Sequence, residues 1–295
     1  MKKNRAFIGH VAPREAINSS REESRFGVGP ASLTLSLLTH RRLLARLIER
    51  DVYGRYRGSL LGIGWSVVQP LLMLVVYTLV FSDIFQMRWP GVADGSRVQF
   101  AVMIFAANIV QIAFAEVISR SPTIIVSNTN LVRKVIFPLE LLPVVALGSA
   151  AVHVLLNVVL LLMINAVFSG IWNWSCLFFP LVIVPFLIMT AGISWFLAAI
   201  GVFVRDLGQA VGVLLTLLLF LSPVFYPMSA VPERLRPFLL LNPLSLIAEQ
   251  QRRVLVSGEL PDFMSIGCYL AVACLVAVAG FAWFQKVRRG FADVL

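Results

Sequence analysis

The chain has 295 residues, of which 59% are hydrophobic and 14% charged, with a mean hydropathy of +0.86; a soluble domain carries about 45–50% apolar and about 25% charged residues. That surplus is too large for one water-facing core and excludes an ordinary soluble globular protein. The net charge of +10 would suggest a nucleic-acid partner in a soluble chain, but here the basic residues have first to be tested against membrane topology.

Residues 1–30 mix Arg, Glu, Ser, Gly and Pro without apolar periodicity, and the start MKKNR is followed by no signal-peptide core. They read as a flexible, uncleaved cytoplasmic tail. Across 31–57 an amphipathic helix is expected, because Leu33, Leu37, Leu44, Leu47 and Ile48 fall on one side of a helical wheel and Arg42, Arg46, Glu49 and Arg50 on the other. Its charge forbids spanning. Two placements stay open: the interfacial plane, with leucines in the acyl boundary and arginines toward anionic headgroups, or the surface of a partner protein.

Six apolar segments follow, at about 61–86, 98–118, 139–168, 177–204, 211–227 and 263–284. Each is long enough to cross about 30 Å of hydrocarbon, the fifth only marginally. An even number of spans returns the C-terminus to the side of the N-terminus. On that topology all of the 25 Lys and Arg fall inside except Arg88, Arg97, Arg234, Arg236, Arg252 and Arg253, the bias of a cytoplasmic-membrane protein with both ends in the cytoplasm. The positive charge is thereby explained without nucleic acid. The expected fold is an all-α integral membrane protein with six transmembrane helices, residues 58–295, behind the interfacial helix.

The connection 228–262 lies outside yet carries an FLLL patch and, with Pro227 just before it, Pro232, Pro237 and Pro243. Pro-broken apolar helices at one membrane face survive where protein or a water-filled cavity satisfies their backbone, so a pair of short re-entrant helices is expected there.

Chemistry of its own is poorly represented. The four lysines, Lys2, Lys3, Lys134 and Lys286, are followed by Lys, Asn, Val and Val, so no Walker A Lys-Ser/Thr pair exists. The three cysteines and three histidines show no metal-ligand spacing, and Cys268 and Cys274 read as small packing residues in an apolar run. Asp83, Glu116, Glu140, Asp206 and Glu249 fall near segment ends instead of forming the midplane relay of a proton-coupled carrier.

Along span one Ser66, Gln69, Met73, Tyr77 and Phe81 share a face. Such a stripe suits a sugar-conducting passage, where rings stack on pyranose faces and polar neighbours meet hydroxyls; helix packing with an aromatic belt at Phe85 and Trp89 explains it equally well. Between spans two and three, SNTNLVRKVIFPLELLP suits either a short helix across the membrane face or an ordinary positive-inside loop. At the turn between spans four and five, Arg205 and Asp206 form an adjacent opposite-charge pair. The Gly58 to Gly62 and Gly208 to Gly212 spacings are weak signals of close helix approach.

Several of these stretches resemble one family. Arg50, Asp51, Tyr53, Tyr56 and SLLGIGWSVVQPLL (59–72) are similar to the start of span one in ABC-2 type permeases that export polysaccharides; NLVRKVIFPLELLP (130–143), VFVRDLGQAV (202–211), FLSPVFYP (220–227), VPERLRPFLLLNPLSLI (231–247) and FADVL (291–295) follow in family order. The resemblance covers roughly residues 35–295. It implies the permease of an O-antigen, capsule or teichoic-acid exporter in a bacterial inner membrane: a homodimer of six-span subunits with two copies of a separate ATP-binding subunit, which carries ATP and Mg. No cofactor or metal is expected on this chain. The cargo implied is a lipid-linked glycan, with an exporter of a small drug or lipid as the alternative. It further implies ATPase-coupling roles for Arg46, Arg50 and Asp51 in the interfacial helix, Asn130, Arg133 and Lys134 in the loop at 128–137, and Arg205 with Asp206; a passage at Ser66, Gln69, Met73, Tyr77, Phe81 and Phe220; and an outer gate at Pro232, Arg234, Pro237, Asn242 and Pro243.

Overall fold

A computed structural model describes residues 30–84, 86, 89, 97–132, 137–169, 173–240 and 242–294. The described residues are helical, with no strand among them. Five helical stretches are long and apolar enough to cross a membrane: Gly62–Ile84, Arg97–Thr123, Leu141–Phe168, Trp174–Gly201 and Phe263–Gly290. Where the fifth span is expected stands a shorter apolar helix, Leu207–Leu221, ended where Ser222 turns extended before Pro223.

The amphipathic region is two helices, not one. α1 (Pro30–Thr39) and α2 (Arg41–Tyr56) part at a turn at His40, whose Nδ1 lies 3.0 Å from the Ser36 carbonyl. Within α2 the wheel holds: Leu44, Leu47 and Ile48 are half-buried while Arg42, Arg46, Glu49 and Arg50 are exposed. Span one contains α3 (Trp65–Thr78), with a buried Pro70, and ends in a π-helical turn over Leu79–Ile84. Span two is α4 (Arg97–Arg120), and the short α5 (Thr129–Val132) leads toward span three, α6 (Leu141–Ser169). α7 (Phe179–Gly201) and α8 (Leu207–Leu221) follow, then α9 (Arg236–Leu240) and α10 (Pro243–Arg252). Two short helices thus stand in the Pro-rich connection. The long α11 (Phe263–Val287) and a last turn, α12 (Phe291–Val294), close the chain.

Burial separates a central group from a peripheral one. In span two 78% of the most apolar stretch is buried within the subunit, against 6% in span one. The main core joins α4, α6, α7 and α11 with Leu244 and Ile247 of α10. A second cluster at the end of the bundle nearest α1 gathers Trp195, Phe281, Phe284 and Phe291, and a third, at the opposite end, joins Phe100, Ile104 and Ala107 to Val224, Phe225 and Ala248. Cys268 and Cys274 are exposed on α11, so they do not fill its packing.

Apolar surface alone gives helices little reason to associate in hydrocarbon, where lipid tails are as apolar as leucine; close backbone approach and van der Waals contact decide. The most extensive pairing, α7 with α11, shows this. A Cβ on Gly192 would strike the Ala277 backbone, and one on Gly280 would strike the Gly192 carbonyl. Nothing within 4 Å would meet a Cβ at Gly58, Gly62, Gly208 or Gly212, so within the subunit the close approach sits elsewhere than the sequence spacing suggested.

Candidate functional site

Among the described residues three charged or polar clusters interrupt the apolar packing, two near the α2 end of the bundle and one opposite. The first is built on α2. Ile48 fills the notch left by Gly148 on α6. One turn later Asp51 accepts two hydrogen bonds from Arg120 of α4, Nη2 to Oδ1 at 2.7 Å and Nη1 to Oδ2 at 2.9 Å. A further turn on, Arg55 Nη2 donates to Glu116 Oε1, whose Oε2 lies 3.2 Å from His153 Nδ1 on α6. Tyr56 Oη lies 3.2 Å from His153 Nε2. If Nδ1–H donates to the carboxylate, Nε2 is left to accept the tyrosine proton, and Arg55 Nη1, 3.3 Å from the same Nδ1, then has no acceptor there. Ile48 at Gly148 and Tyr56 at His153 mean that α2 and α6 advance together. The second half of α2 thus runs beside the first half of α6.

A cavity of about 510 Å³ opens beside this cluster, lined by Arg50, Asp51, Gly54, Arg55 and Arg120. Burial pushes the Asp51 carboxyl up, but the hydrogen bonds and charge of Arg120, with help from Arg55, outweigh it and hold Asp51 below the ordinary carboxylate range.

Glu140, just before α6 and almost wholly buried, ties three segments together. It accepts from Ser36 Oγ of α1 at 3.2 Å and from Arg288 Nη1 after α11 at 2.9 Å, while its carbonyl accepts from Trp195 Nε1 at 3.0 Å. Two buried oxygens of one carboxylate are thus both satisfied, which its burial requires.

At the opposite end Arg252, the last residue of α10, is buried. Its Nε donates to the Met103 carbonyl at 2.9 Å and its Nη2 to the Val224 carbonyl at 2.6 Å. Its guanidinium carbon sits 4.3 Å from the Trp89 ring centroid, and Nη1 lies 3.6 Å from Glu249. The planar fork suits two divergent carbonyls and a ring face at once. At the start of the same helix Asn242 accepts from the Leu244 N–H at 3.0 Å and donates to Ser222 Oγ at 2.8 Å. Both ends of α10 are therefore pinned to the segment that follows α8.

Against this geometry the comparisons with known proteins have a clear outcome. The family model described as ABC-2 type transporter matches residues 42–256. The chain belongs to the ABC-2 type transporter family. It is 30% identical over 263 residues to the O-antigen export system permease protein RfbA of Myxococcus xanthus, covering 88% of this chain and 98% of that protein. An O-antigen export system permease protein RfbA of Klebsiella pneumoniae is 24% identical over 258 residues, 86% of this chain and 95% of its own length. The polysialic acid transport protein KpsM of Escherichia coli is 23% identical over 242 residues, 79% and 88% of the two chains.

The site residues expected for this ABC-2 protein are placed as follows. Arg46 and Arg50 are exposed on α2, and Asp51 is turned toward α4. Asn130 is exposed on α5; Arg133 and Lys134 lie outside the described residues. Arg205 and Asp206 are exposed at the turn before α8. The span-one stripe is divided: Gln69 and Met73 are exposed, Ser66 is buried with its hydroxyl on the Ile63 carbonyl, and Tyr77 and Phe81 pack on Phe225 at centroid distances of 4.9 and 4.8 Å. Phe220 is exposed on α8, its carbonyl accepting from Tyr226 Oη at 3.0 Å. Pro232, Arg234 and Pro237 are exposed, Pro243 is half-buried at the start of α10, and Asn242 is its buried cap.

No site role is assigned from sequence to Arg55, Tyr56, Arg120, His153, Arg252 or Arg288, although Tyr56 stands in a family-like stretch and Arg252 among the outer basic residues. The available signal was the presence of Glu116 and His153 in otherwise apolar spans, where an ionisable group needs a partner.

Proposed function

We propose that this chain is the permease subunit of an ABC exporter that moves a lipid-linked polysaccharide, of the O-antigen or capsule kind, across a bacterial inner membrane. One observation carries the reading: relatives named as O-antigen export permeases and a polysialic acid transport protein align with 79–88% of the chain. This favours a glycan over a small drug or lipid as cargo. The chain itself is read as a transport subunit, with ATP and Mg bound by two copies of a partner ATPase.

In this reading α8 is the fifth of six spans, both termini are cytoplasmic, and residues 58–295 form the membrane domain behind a cytoplasmic tail and the helices of 31–57. α9 and α10 dip back at the outer face as gate helices, with Pro232, Arg234, Pro237, Asn242 and Pro243 at that gate. A glycan hydroxyl stripped of water costs about 4–8 kcal/mol on a cyclohexane scale, so the polymer needs a continuous hydrated passage. Six helices of one subunit hardly enclose one, whereas two subunits can, and the mostly exposed surface of span one is consistent with a homodimer around it. Ser66, Gln69, Met73, Tyr77, Phe81 and Phe220 are assigned to the passage. Arg46, Arg50, Asp51, Asn130, Arg133, Lys134, Arg205 and Asp206 are assigned to the coupling of ATP-driven motion. The alternating closure of the ATPase pair would then rock the helices and advance the glycan stepwise.

The test is to purify the tagged protein from native membranes in mild detergent, identify what co-purifies, and reconstitute it with lipid-linked glycan. Expected are a Walker-containing subunit in one-to-one ratio, vanadate-sensitive ATP hydrolysis and ATP-dependent glycan movement. Absence of any ATPase under several mild detergents overturns the reading.

A further inference from the structure

We propose that Asp51 and Arg55 of α2, paired with Arg120 and Glu116 of α4, form a register lock that makes the interfacial helix move as one body with spans two and three. The proposal rests on the exporter reading above, in which α2 receives motion from the ATPase.

The argument is one of charge order. Asp51 and Arg55 are four residues apart on α2, and Glu116 and Arg120 are four apart on α4, so each pair stands on one helix face. The contacts run antiparallel: 51 meets 120 and 55 meets 116. Read along α2 the signs are minus then plus, and the matching positions on α4 are plus then minus. A slide of α2 by one helical turn, about 5.4 Å, would therefore set Asp51 against Glu116 in one direction, or Arg55 against Arg120 in the other. Each slip replaces an attraction with a repulsion, as in the charge ordering that fixes register between coiled helices.

Two further contacts stiffen the same face. Ile48, one turn before Asp51, is seated in the Gly148 notch, and Val52 is buried between the charges. His153 bridges Glu116 and Tyr56, adding α6 to the joint through both ring nitrogens. The two carboxylates are largely covered, Glu116 at 11% and Asp51 at 23% exposure of the side chain, whereas Arg55 and Arg120 keep 32% and 37%, so solvent screens these pairs in part and less than it screens fully exposed pairs. The opposite face of α2, with Arg42, Arg46, Glu49 and Arg50, stays open for the partner that pushes.

The lock is separable from simple docking by permuting charges. Arg55→Glu combined with Glu116→Arg keeps two opposite-charge pairs between the helices but makes each helix face uniform in sign, so a one-turn slide no longer costs repulsion. Exchanging all four residues (Asp51→Arg, Arg55→Asp, Glu116→Arg, Arg120→Glu) restores the alternation. The assembled complex is reconstituted in proteoliposomes, and glycan moved per ATP hydrolysed is measured. A second readout is the ATP-dependent thiol labelling of Val167→Cys at the far end of span three, with Cys176, Cys268 and Cys274 replaced by Ser.

For the two-residue swap we expect assembly and ATP hydrolysis within about twofold of wild type, glycan per ATP lowered about tenfold, and the ATP response of labelling lost. The four-residue exchange recovers at least about half of the wild-type ratio. Wild-type transport and labelling in the two-residue swap overturn the lock, as does an assembled four-residue exchange that fails equally. If the wild-type complex hydrolyses ATP without moving glycan, the cargo reading falls and the labelling readout still decides the lock.

Discussion

Asp51 takes both terminal nitrogens of Arg120, 69 residues away, in a two-pronged hydrogen bond at 2.7 and 2.9 Å. The pair is the clearest tie between the N-terminal helices and the membrane bundle. Two parallel N–H to oxygen bonds add geometric specificity that a single ion pair lacks.

A pH dependence follows from that pair. The folded state holds the Asp51 carboxyl below its ordinary value, so folding is favoured while the group is ionised. Its contribution is fully present at neutral pH and is lost as pH falls through the lowered folded value. The stability difference between wild type and Asp51→Asn, followed by thermal unfolding in detergent, is therefore expected to be constant from about pH 8 to 5 and to shrink below about pH 4. A difference that grows on acidification contradicts the assignment.

Replacing Gly192 or Gly280 by Ala tests the α7–α11 crossing. Either methyl meets backbone, which cannot rotate away, and each is expected to cost about 1–3 kcal/mol or more. Gly208→Ala has open space and is expected to leave stability unchanged or raised by up to about 1 kcal/mol. The fraction surviving as a monodisperse peak after a heat step distinguishes the two.

Arg252→Met should leave the Val224 carbonyl without its donor, at about 1–3 kcal/mol, while the Met103 carbonyl, inside α4, loses a second donor but keeps its intrahelical one. Arg252→Lys is expected to recover little, because a single ammonium does not span two divergent carbonyls while stacking on Trp89. Accelerated hydrogen exchange over 243–257 in both variants is the check.

Asn242→Ala removes the cap of α10 and the bond to Ser222 together. We expect a loss of about 1–2 kcal/mol. Asn242→Asp retains the cap acceptor but no longer donates to Ser222, so it should recover part of that loss in the same unfolding assay.

Five of the six expected spans were legible in sequence because the length and apolarity that crossing a membrane needs are local properties: some twenty apolar residues suffice, whatever their neighbours. The polarity of α2 was legible for the same reason, and Leu44, Leu47 and Ile48 do face inward. The break at His40 was hidden, since neither Gly nor Pro marks it. The stripe from Ser66 to Phe81 was read as one face, but the aromatic end of it packs on Phe225, a residue more than a hundred positions away. Arg252 was counted among the outer loop charges and is instead buried against span two.

What the sequence determined by itself is the class of solvent, the number of apolar segments, and the family through ordered local motifs. What only the tertiary structure decided is which charge meets which. Asp51 to Arg120, Arg55 to Glu116 and His153, and Glu140 to Arg288 each depend on how far a helix is rotated about its axis. Rotation is set by the packing of many side chains at once, with Gly192 and Gly280 fixing how near the α7 and α11 backbones come and Gly148 seating the Ile48 side chain. Hydropathy sums along a chain carry no record of that angle; the buried ion pairs do, because a misplaced charge in a low-dielectric interior has no water to fall back on.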